Sequence, residues 1–355
     1  MATITKRRKG LPWASGIGKS VAHCKTANDC IKEANLDFFV KKCALTAKMP
    51  FSINGNNDVD NDSFTYNGNI YRDLPDAFAT YRTDLNIPLG LVKSKYNVVQ
   101  NQEAFNFFDK AIGKDMALWD RAGSFGFGHK IFLSAKLPNI TKVGKDEIDN
   151  YLVFSNSHDG SSSINIMFTP IRIACTNMLN AGLSKASSNI KIRHTNSAQS
   201  KLNIASDILH AATIQAESAQ ELYNALAKMP VTDKQVMEYL AKLNLTEGEV
   251  HMLNQYDSVH GYERLMRRDY MTLEGANIST RKANKIIDMW EYYHHGIAQE
   301  NIIGTAWGAY NAVTGYYSNI KNDDGEKRMD SMLYGAGYNN MQDALVNAYE
   351  LRKAV

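Results

Sequence analysis

The sequence predicts an α+β protein with an antiparallel sheet in its N-terminal half and a mainly helical C-terminal half. Between residues 123 and 168, short apolar runs alternate with turns rich in glycine and polar residues, which is typical of antiparallel strands. After residue 198, apolar residues recur every three or four positions, as they do on helices that bury one face. We therefore expect an N-terminal arm and helix over residues 1–50, a β-rich core over residues 51–197 and a helical region over residues 198–355.

A tight hairpin is predicted near the start of the core. Residues 64–66 and 69–71 flank Asn67 and Gly68, and an Asn-Gly pair readily adopts the positive φ angles of a type I′ turn. Short extended pieces follow over residues 89–99. Residues 102–112 then carry apolar side chains on one face of a helix.

The centre of the chain predicts a β-β-β-α unit. Its strands cover residues 130–136, 151–155 and 164–168, where apolar residues are dense or alternate. Thr169 fits the N-cap and Pro170 the first position of a helix. Apolar residues at helical spacing would pack that helix against the sheet, namely Ile171, Ala174, Cys175, Met178 and Leu179.

The C-terminal half predicts a series of helices. A three-four apolar rhythm over residues 202–226 ends before Pro230. Two capping boxes mark new helix starts, one of Thr232 with Gln235 and one of Thr246 with Glu249. Further helices are predicted over residues 281–294, 302–317 and 341–353.

Composition points to an intracellular protein. Of 355 residues, 44% are hydrophobic and 22% charged, which is enough apolar material for one large or two ordinary domains. The four cysteines are irregularly spaced and no signal segment precedes them, so we expect free thiols in a reducing cytoplasm. No run approaches the roughly 20 apolar residues of a membrane span, and no membrane association is predicted.

The catalytic and metal-binding motifs in the sequence are incomplete. Residues 16–20 resemble the end of a phosphate-binding P-loop, but Trp13 stands where its first glycine is required. Asp58, Asp60 and Asp62 open like an EF-hand that lacks its turn glycine and closing glutamate. Ser157, His158 and Asp159 are consecutive, so their side chains would diverge rather than form a catalytic triad. No histidines lie at zinc-ligand spacing, and we predict neither a metal nor another cofactor.

Basic residues interleaved with aromatic residues and glycines are the main functional signal. Cations follow a phosphate backbone and flat rings stack on unpaired bases, so this combination is typical of single-stranded nucleic-acid binding. The net charge of +3 does not indicate such binding by itself. The candidate nucleic-acid-binding residues are Lys93, Lys95, Tyr96, Arg121, Phe125, Lys130, Arg172, Lys191, Arg193 and His194.

Several short motifs also resemble those of a known family. They are Gly90-Leu91-Val92, Gln100-Asn101, Ser155-Asn156-Ser157-His158-Asp159-Gly160, Thr169-Pro170-Ile171-Arg172 with Cys175 and Asn177, Arg193-His194 and Trp307-Gly308. On these residues the chain resembles the phage/plasmid-like protein family, which is encoded on bacteriophages, plasmids and laterally transferred islands. Ala14 departs from the histidine that often follows the family's N-terminal tryptophan. The resemblance implies a candidate polar site of Gln100, Asn101, Asn156, His158, Asp159 and Asn177.

The predicted core suggests a more distant likeness. A β-β-β-α core followed by helices, on a phage-type gene, is similar to the core of phage single-strand annealing proteins, which bind single-stranded DNA in oligomeric rings without nucleotide hydrolysis. The leading hypothesis is therefore a homo-oligomeric single-stranded DNA binding and annealing protein of the bacterial host cytoplasm, with a host or phage replication protein as a further partner. Two alternatives stay open: a nucleic-acid-processing enzyme centred on Asn156, His158, Asp159 and Arg172, and a phage factor that binds a host protein.

Overall fold

The computed structural model describes residues 18–49, 63–112, 118–172, 177–178, 189–195, 208–321 and 324–351, and it has the predicted α+β fold. Two antiparallel sheets fill the first part of the chain, and helices fill the part after residue 208. Two helices lie among the strands, α1 (Ala27–Glu33) and α2 (Asn101–Ile112). The fold class is thus confirmed.

The larger sheet has seven strands among the described residues. They are β1 (Lys19–Ser20), β6 (Leu118–Phe125), β7 (Lys130–Val143), β8 (Asp146–Ser157), β9 (Ile164–Arg172), β10 (Asn177–Met178) and β11 (Asn189–Ile192). Their order is β1-β6-β7-β8-β9, and both β10 and β11 pair with β9. All of these pairs are antiparallel.

The smaller sheet is built around one long strand. Its strands are β2 (Val40–Lys48), β3 (Ser63–Tyr66), β4 (Asn69–Arg82) and β5 (Ile87–Val92), and β4 pairs with the other three. Asn67 and Gly68 have φ angles of 46° and 71° between β3 and β4, as a type I′ turn requires. The predicted hairpin is therefore confirmed.

The C-terminal half is helical, as predicted, and the helices predicted to start at residues 232, 246 and 281 begin within one residue of those positions. Those predicted to start at residues 302 and 341 begin at Ala306 and Ala336, and the three helices at Gly261, Tyr270 and Gly325 were not predicted. The bounds of the helices in this half are α3 (Ile208–Ala227), α4 (Asp233–Lys242), α5 (Glu247–Tyr256), α6 (Gly261–Met266), α7 (Tyr270–Gly275), α8 (Thr280–His295), α9 (Ala306–Gly315), a π-helical turn (Tyr316–Ile320), α10 (Gly325–Leu333) and α11 (Ala336–Glu350). Both capping boxes are present, at the starts of α4 and α5. In the described part of the chain, no helix has the length and apolarity needed to span a membrane.

Strand β9 overturns the predicted helix at Thr169. Residues 169–172 continue the strand, and Thr169 pairs with Tyr151, Pro170 with Asn150 and Arg172 with Ile148. Both faces of the larger sheet are covered at its centre, since every residue of β9 and every residue of β8 except Glu147 is buried. Helices α2 and α3 pack against this part of the sheet. A strand buried on both faces is apolar at nearly every position, so its pattern also fits a helix. Ala174, Cys175 and Leu179 lie outside the described residues.

A buried ion pair fixes the helices to one end of the larger sheet. The Asp146 carboxylate accepts hydrogen bonds from Nε and Nη2 of Arg172, each at 2.8 Å, and from Nε1 of Trp307 at 2.9 Å. Nη2 of Arg172 also donates to the carbonyl oxygen of Ala298 at 2.9 Å. Arg172 and Trp307 are fully buried. The start of β8, the end of β9 and α9 therefore meet in one polar network.

Candidate functional site

Four of the predicted cations are exposed on two separate segments that contact one another, and we call these four the basic surface: Lys93, Lys95, Lys191 and Arg193. The segments meet where the Tyr96 ring stacks on the His194 ring, with 4.6 Å between their centroids. The backbone N–H of Asn97 also donates to the carbonyl oxygen of His194 at 3.1 Å.

Strand alternation places the cations of the basic surface toward solvent. Ile192 and His194 are buried, whereas Lys191 and Arg193, which alternate with them, are exposed. Asp76 lies beside the other segment and accepts a hydrogen bond from the backbone N–H of Ser94 at 2.7 Å. The hydrogen bonds to Ser94, followed by the nearby charges of Lys93 and Lys95, lower the pKa of Asp76. One carboxylate thus faces the cations of this segment.

Two other predicted phosphate contacts are already neutralised inside the fold. Arg172 is fully buried against Asp146, so the prediction that it contacts phosphate is wrong. Lys130 forms an ion pair with Asp330 of α10 at 2.5 Å, and 15% of its side chain is exposed. Its ammonium group also lies 5.1 Å from the Tyr334 ring centroid. Lys130 therefore joins the sheet to α10 rather than extending the basic surface.

The two remaining candidates on β6 also have structural partners. Phe125 is 7% exposed and packs against Phe132 and Tyr334. The prediction that Phe125 offers a stacking platform is therefore wrong, whereas Phe127, in the following turn, is 58% exposed. Nη1 of Arg121 donates to the carbonyl oxygen of Gly18 at 3.1 Å, which ties β6 to the start of β1.

Most of the predicted polar site forms a buried junction between the two sheets. Nε2 of His158 lies 2.7 Å from Oδ1 of Asn101. Because Nδ2 of Asn101 donates to the carbonyl oxygen of Leu36 at 2.8 Å, its Oδ1 is the acceptor and Nε2 of His158 carries the proton. The hydroxyl of Thr80, on β4, donates to the carbonyl oxygen of His158 at 2.6 Å. The junction thus connects β8, α2 and β4.

Further hydrogen bonds from the predicted polar residues complete this junction. The side-chain amide of Gln100 both donates to and accepts from the backbone of Val40. Nδ2 of Asn156 donates to the carbonyl oxygen of Val99 at 3.0 Å. The Asp159 carboxylate accepts from the hydroxyl of Ser157 and from the backbone N–H of Ser161. Most of these contacts satisfy backbone groups where the chain passes between the sheets.

His158 of the junction and the nearby His194 are both held in the neutral form. Burial lowers the pKa of His158 to about 3, and repulsion from His194 adds to that effect. Burial likewise lowers the pKa of His194 to about 4, against a smaller opposing effect of the Asn97 carbonyl. The nearby Asp159 carboxylate opposes both shifts without cancelling them. Neutral imidazoles are therefore part of the folded state.

The residues of the alternative enzyme centre do not converge. Arg172 pairs with Ile148 near the start of β8, whereas Asn156 and His158 lie at its other end. At about 3.3 Å per residue this separation is about 30 Å. Asn177 pairs with Arg172 across β9 and β10 and so belongs to the distant end as well. The prediction of one centre formed by these residues is wrong.

A close backbone approach of Gly90 to Asp159 sets the spacing of the junction. A Cβ atom on Gly90 would lie 2.3 Å from the carbonyl oxygen of Asp159. We expect Gly90→Ala to lower the free energy of unfolding by about 1–3 kcal/mol, because the sheets must separate there. Urea titration followed by circular dichroism measures this. Gly248→Ala is the control, since nothing lies within 4 Å of its Cβ position; equal stabilities of the two variants would contradict the expectation.

Sequence reasoning missed an exposed aromatic surface on the smaller sheet. Phe64 pairs with Tyr71, which pairs with Lys48, so the three side chains lie on one face. Tyr66 is two residues from Phe64 and shares that face. The Phe64 and Tyr71 rings stack with 5.5 Å between centroids, and Phe64 and Tyr66 are 50% and 62% exposed. We call Lys48, Phe64, Tyr66 and Tyr71 the aromatic face.

Two sequence motifs remain, the segment that resembles a P-loop and the run of aspartates. Lys19 and Ser20 form β1 and pair with Ala122 and Arg121, rather than starting the helix that follows a P-loop. Asp58, Asp60 and Asp62 lie outside the described residues. Within the described ranges, no three His, Cys, Asp or Glu side chains are grouped so that they could hold a metal ion.

Comparison with known proteins gives one family match. Residues 88–344 match the family described as a domain of unknown function, DUF932. The matched region runs from β5 into α11 and covers more than half of the chain. No curated protein and no solved structure matches the chain.

Proposed function

The chain belongs to the DUF932 family. From its basic surface and its aromatic face, we propose that it binds single-stranded DNA and promotes annealing without nucleotide hydrolysis. The observation that carries this proposal is the basic surface of Lys93, Lys95, Lys191 and Arg193. Two segments about 100 residues apart in sequence contribute two exposed cations each, and the contact between Tyr96 and His194 holds the segments together. Clustered cations release condensed counterions from a phosphate backbone and so favour binding.

The aromatic face supports selectivity for unpaired strands. Bases stack on aromatic side chains of an open sheet when they are not paired in a duplex. Neighbouring strands are about 4.8 Å apart and alternate residues about 6.8 Å apart, so Phe64, Tyr66 and Tyr71 offer rings at spacings that successive bases can follow. Lys48 is the cross-strand neighbour of Tyr71, which is in turn the cross-strand neighbour of Phe64. Strand β4 connects this face to the part of the sheet beside the basic surface.

We further propose that the protein forms homo-oligomers and that these oligomers promote annealing. Annealing requires two strands to be held extended near one another, and a homo-oligomer would repeat the basic surface along a bound strand. A phage or plasmid gene acting in the bacterial cytoplasm, together with a host or phage replication protein, fits the resemblance described above. Mass photometry with and without oligonucleotide tests the assembly.

Charge reversal on the basic surface tests binding itself. We expect the triple variant Lys93→Glu, Lys95→Glu, Arg193→Glu to bind a labelled single-stranded oligonucleotide about tenfold or more weakly at low salt. Each lost phosphate contact should also reduce the slope of log affinity against log salt by about 0.7, because fewer counterions are released. Fluorescence anisotropy over a salt series measures both quantities.

Lys228→Glu is the matched control, because Lys228 is exposed at the end of α3 and outside the basic surface. Its affinity and salt dependence should equal those of the wild type. Absence of binding by the wild type at low salt would end the proposal. Equal binding by the triple variant and the wild type would assign any interaction to another surface.

A further inference from the structure

Three cations cluster on the helical half, away from the basic surface. Arg281 and Lys285 lie one turn apart on α8, and Lys321 follows the π-helical turn. The ammonium groups of Lys285 and Lys321 both lie over the Tyr317 ring, 5.4 Å and 4.9 Å from its centroid. Two elements therefore bring two positive charges to one aromatic ring, and the charge of Arg281 acts on both lysines.

This cluster is not neutralised by carboxylates of the described part of the chain, where none forms an ion pair with any of the three side chains. The neighbouring Lys282 differs, since its ammonium group lies 2.7 Å from Glu249. Asp288 lies further along α8, but its charged neighbours are Arg268 and Glu291. Among the described residues the three cations thus repel one another without an ion pair to a carboxylate, and a nearby acidic group is Asp288, whose charge acts with that of Arg281 on the neighbouring Tyr316.

This arrangement disfavours the charged form of both lysines, so that their pKa values are lowered. Burial lowers the pKa of Lys285 to about 8, and the charges of Lys321 and Arg281 lower it further in the same direction. Burial and Arg281 also lower the pKa of Lys321. Arg281 lies in the first turn of α8, where the helix dipole favours negative charge. An anion held there would stabilise the charged forms of Lys285 and Lys321 and would interact favourably with the N-terminus of α8.

The local backbone also points to a ligand. The π-helical turn Tyr316–Ile320 interrupts the ordinary helical ladder directly before Lys321, and such turns occur frequently at functional sites. The Tyr317 side chain is 1% exposed, and within the described structure its hydroxyl has no hydrogen-bond partner. We propose that Arg281, Lys285 and Lys321 bind a phosphate group, with Tyr317 as the floor of the site.

Phosphate binding can be measured directly at Lys285. On addition of inorganic phosphate to the full chain, we expect the NMR signal of the Lys285 ammonium group to titrate at higher pH, because the anion stabilises its charged form. Lys285→Gln and Lys321→Gln should each weaken phosphate binding about tenfold or more in calorimetry, as expected for the loss of a charge-assisted hydrogen bond. Thermal melting of each variant verifies that it is folded.

Lys234→Gln is the control, since Lys234 is exposed on α4, and this variant should bind phosphate as the wild type does.

A second experiment uses a single-stranded oligonucleotide as the probe. A Lys285 response to the oligonucleotide alone would identify the phosphate as that of a nucleic-acid backbone, and a response to both probes would include free phosphate. No Lys285 response to either probe, or equal weakening by Lys234→Gln, would overturn the proposal. Because these residues lie outside the basic surface, failure of single-stranded DNA binding there would leave this result unaffected.

Discussion

Replacement of Asp146 by alanine is expected to lower the free energy of unfolding by about 3–5 kcal/mol, the usual effect of breaking a buried ion pair by removing one partner. The variant leaves the Arg172 guanidinium buried without the carboxylate that neutralises it, and Nε1 of Trp307 loses its acceptor. Chemical denaturation followed by circular dichroism measures the change. The loss should appear as a lower transition midpoint.

Two further variants separate the charge from the packing. The double variant Asp146→Leu, Arg172→Met replaces both charges by apolar groups, and we expect it to be less destabilised than Asp146→Ala because no uncompensated charge remains. Asp330→Ala removes the partner of Lys130, a pair that is partly exposed, and should cost about 1 kcal/mol or less. If Asp146→Ala lost no more stability than Asp330→Ala, the buried network would not hold the two halves together.

Acidification is expected to destabilise the fold well before its carboxylates are protonated. His158 and His194 have pKa values of about 3 and about 4 in the folded chain, compared with about 6.5 in an unfolded chain. Between these values the unfolded chain binds more protons than the folded chain. The stabilisation is therefore complete above about pH 6.5 and is lost as the pH falls.

The size of the acid effect follows from the number of histidines. Each contributes up to about 1.4 kcal/mol per pH unit in that window, and half as much at pH 6.5 itself, so the free energy of unfolding should fall by about 3 kcal/mol between pH 6.5 and pH 5. Urea titrations at a series of pH values measure this slope. His194→Gln should reduce the slope by about half, whereas His251→Gln, at an exposed position of α5, should leave it unchanged. A stability that is flat over this range would contradict the neutral, buried state of both imidazoles.

Features encoded by neighbouring residues could be predicted from the sequence. The Asn67-Gly68 turn and the capping boxes at Thr232 and Thr246 depend on side chains and backbone within four residues of one another. The helix predicted at Thr169 was wrong because the same local pattern fits a strand covered on both faces. Only the tertiary packing that buries every residue of β9 distinguishes the two cases.

The candidate site was harder to predict because burial and pairing depend on residues far apart in the chain. Lys130 meets an acidic partner 200 residues later, at Asp330, and nothing near Lys130 in the sequence indicates that pair. The exposure of Lys93 and Arg193 likewise depends on how two segments meet. The aromatic face could have been found from the hairpin, since period-two alternation puts Phe64 and Tyr66 on one side. The exposure of the aromatic face could not have been predicted, because exposure depends on which other elements cover the sheet.

Strand β8 is attached at both of its ends to different parts of the molecule. Asp146, at its first residue, holds the helices through Arg172 and Trp307, and His158, just beyond its last, is held by the smaller sheet through Thr80. Breaking the contacts at one end of β8 should therefore disturb the same strand that holds the contacts at its other end. Mechanical coupling along a single stretch of extended backbone is thus the expected route by which a displacement of the smaller sheet would reach the helices.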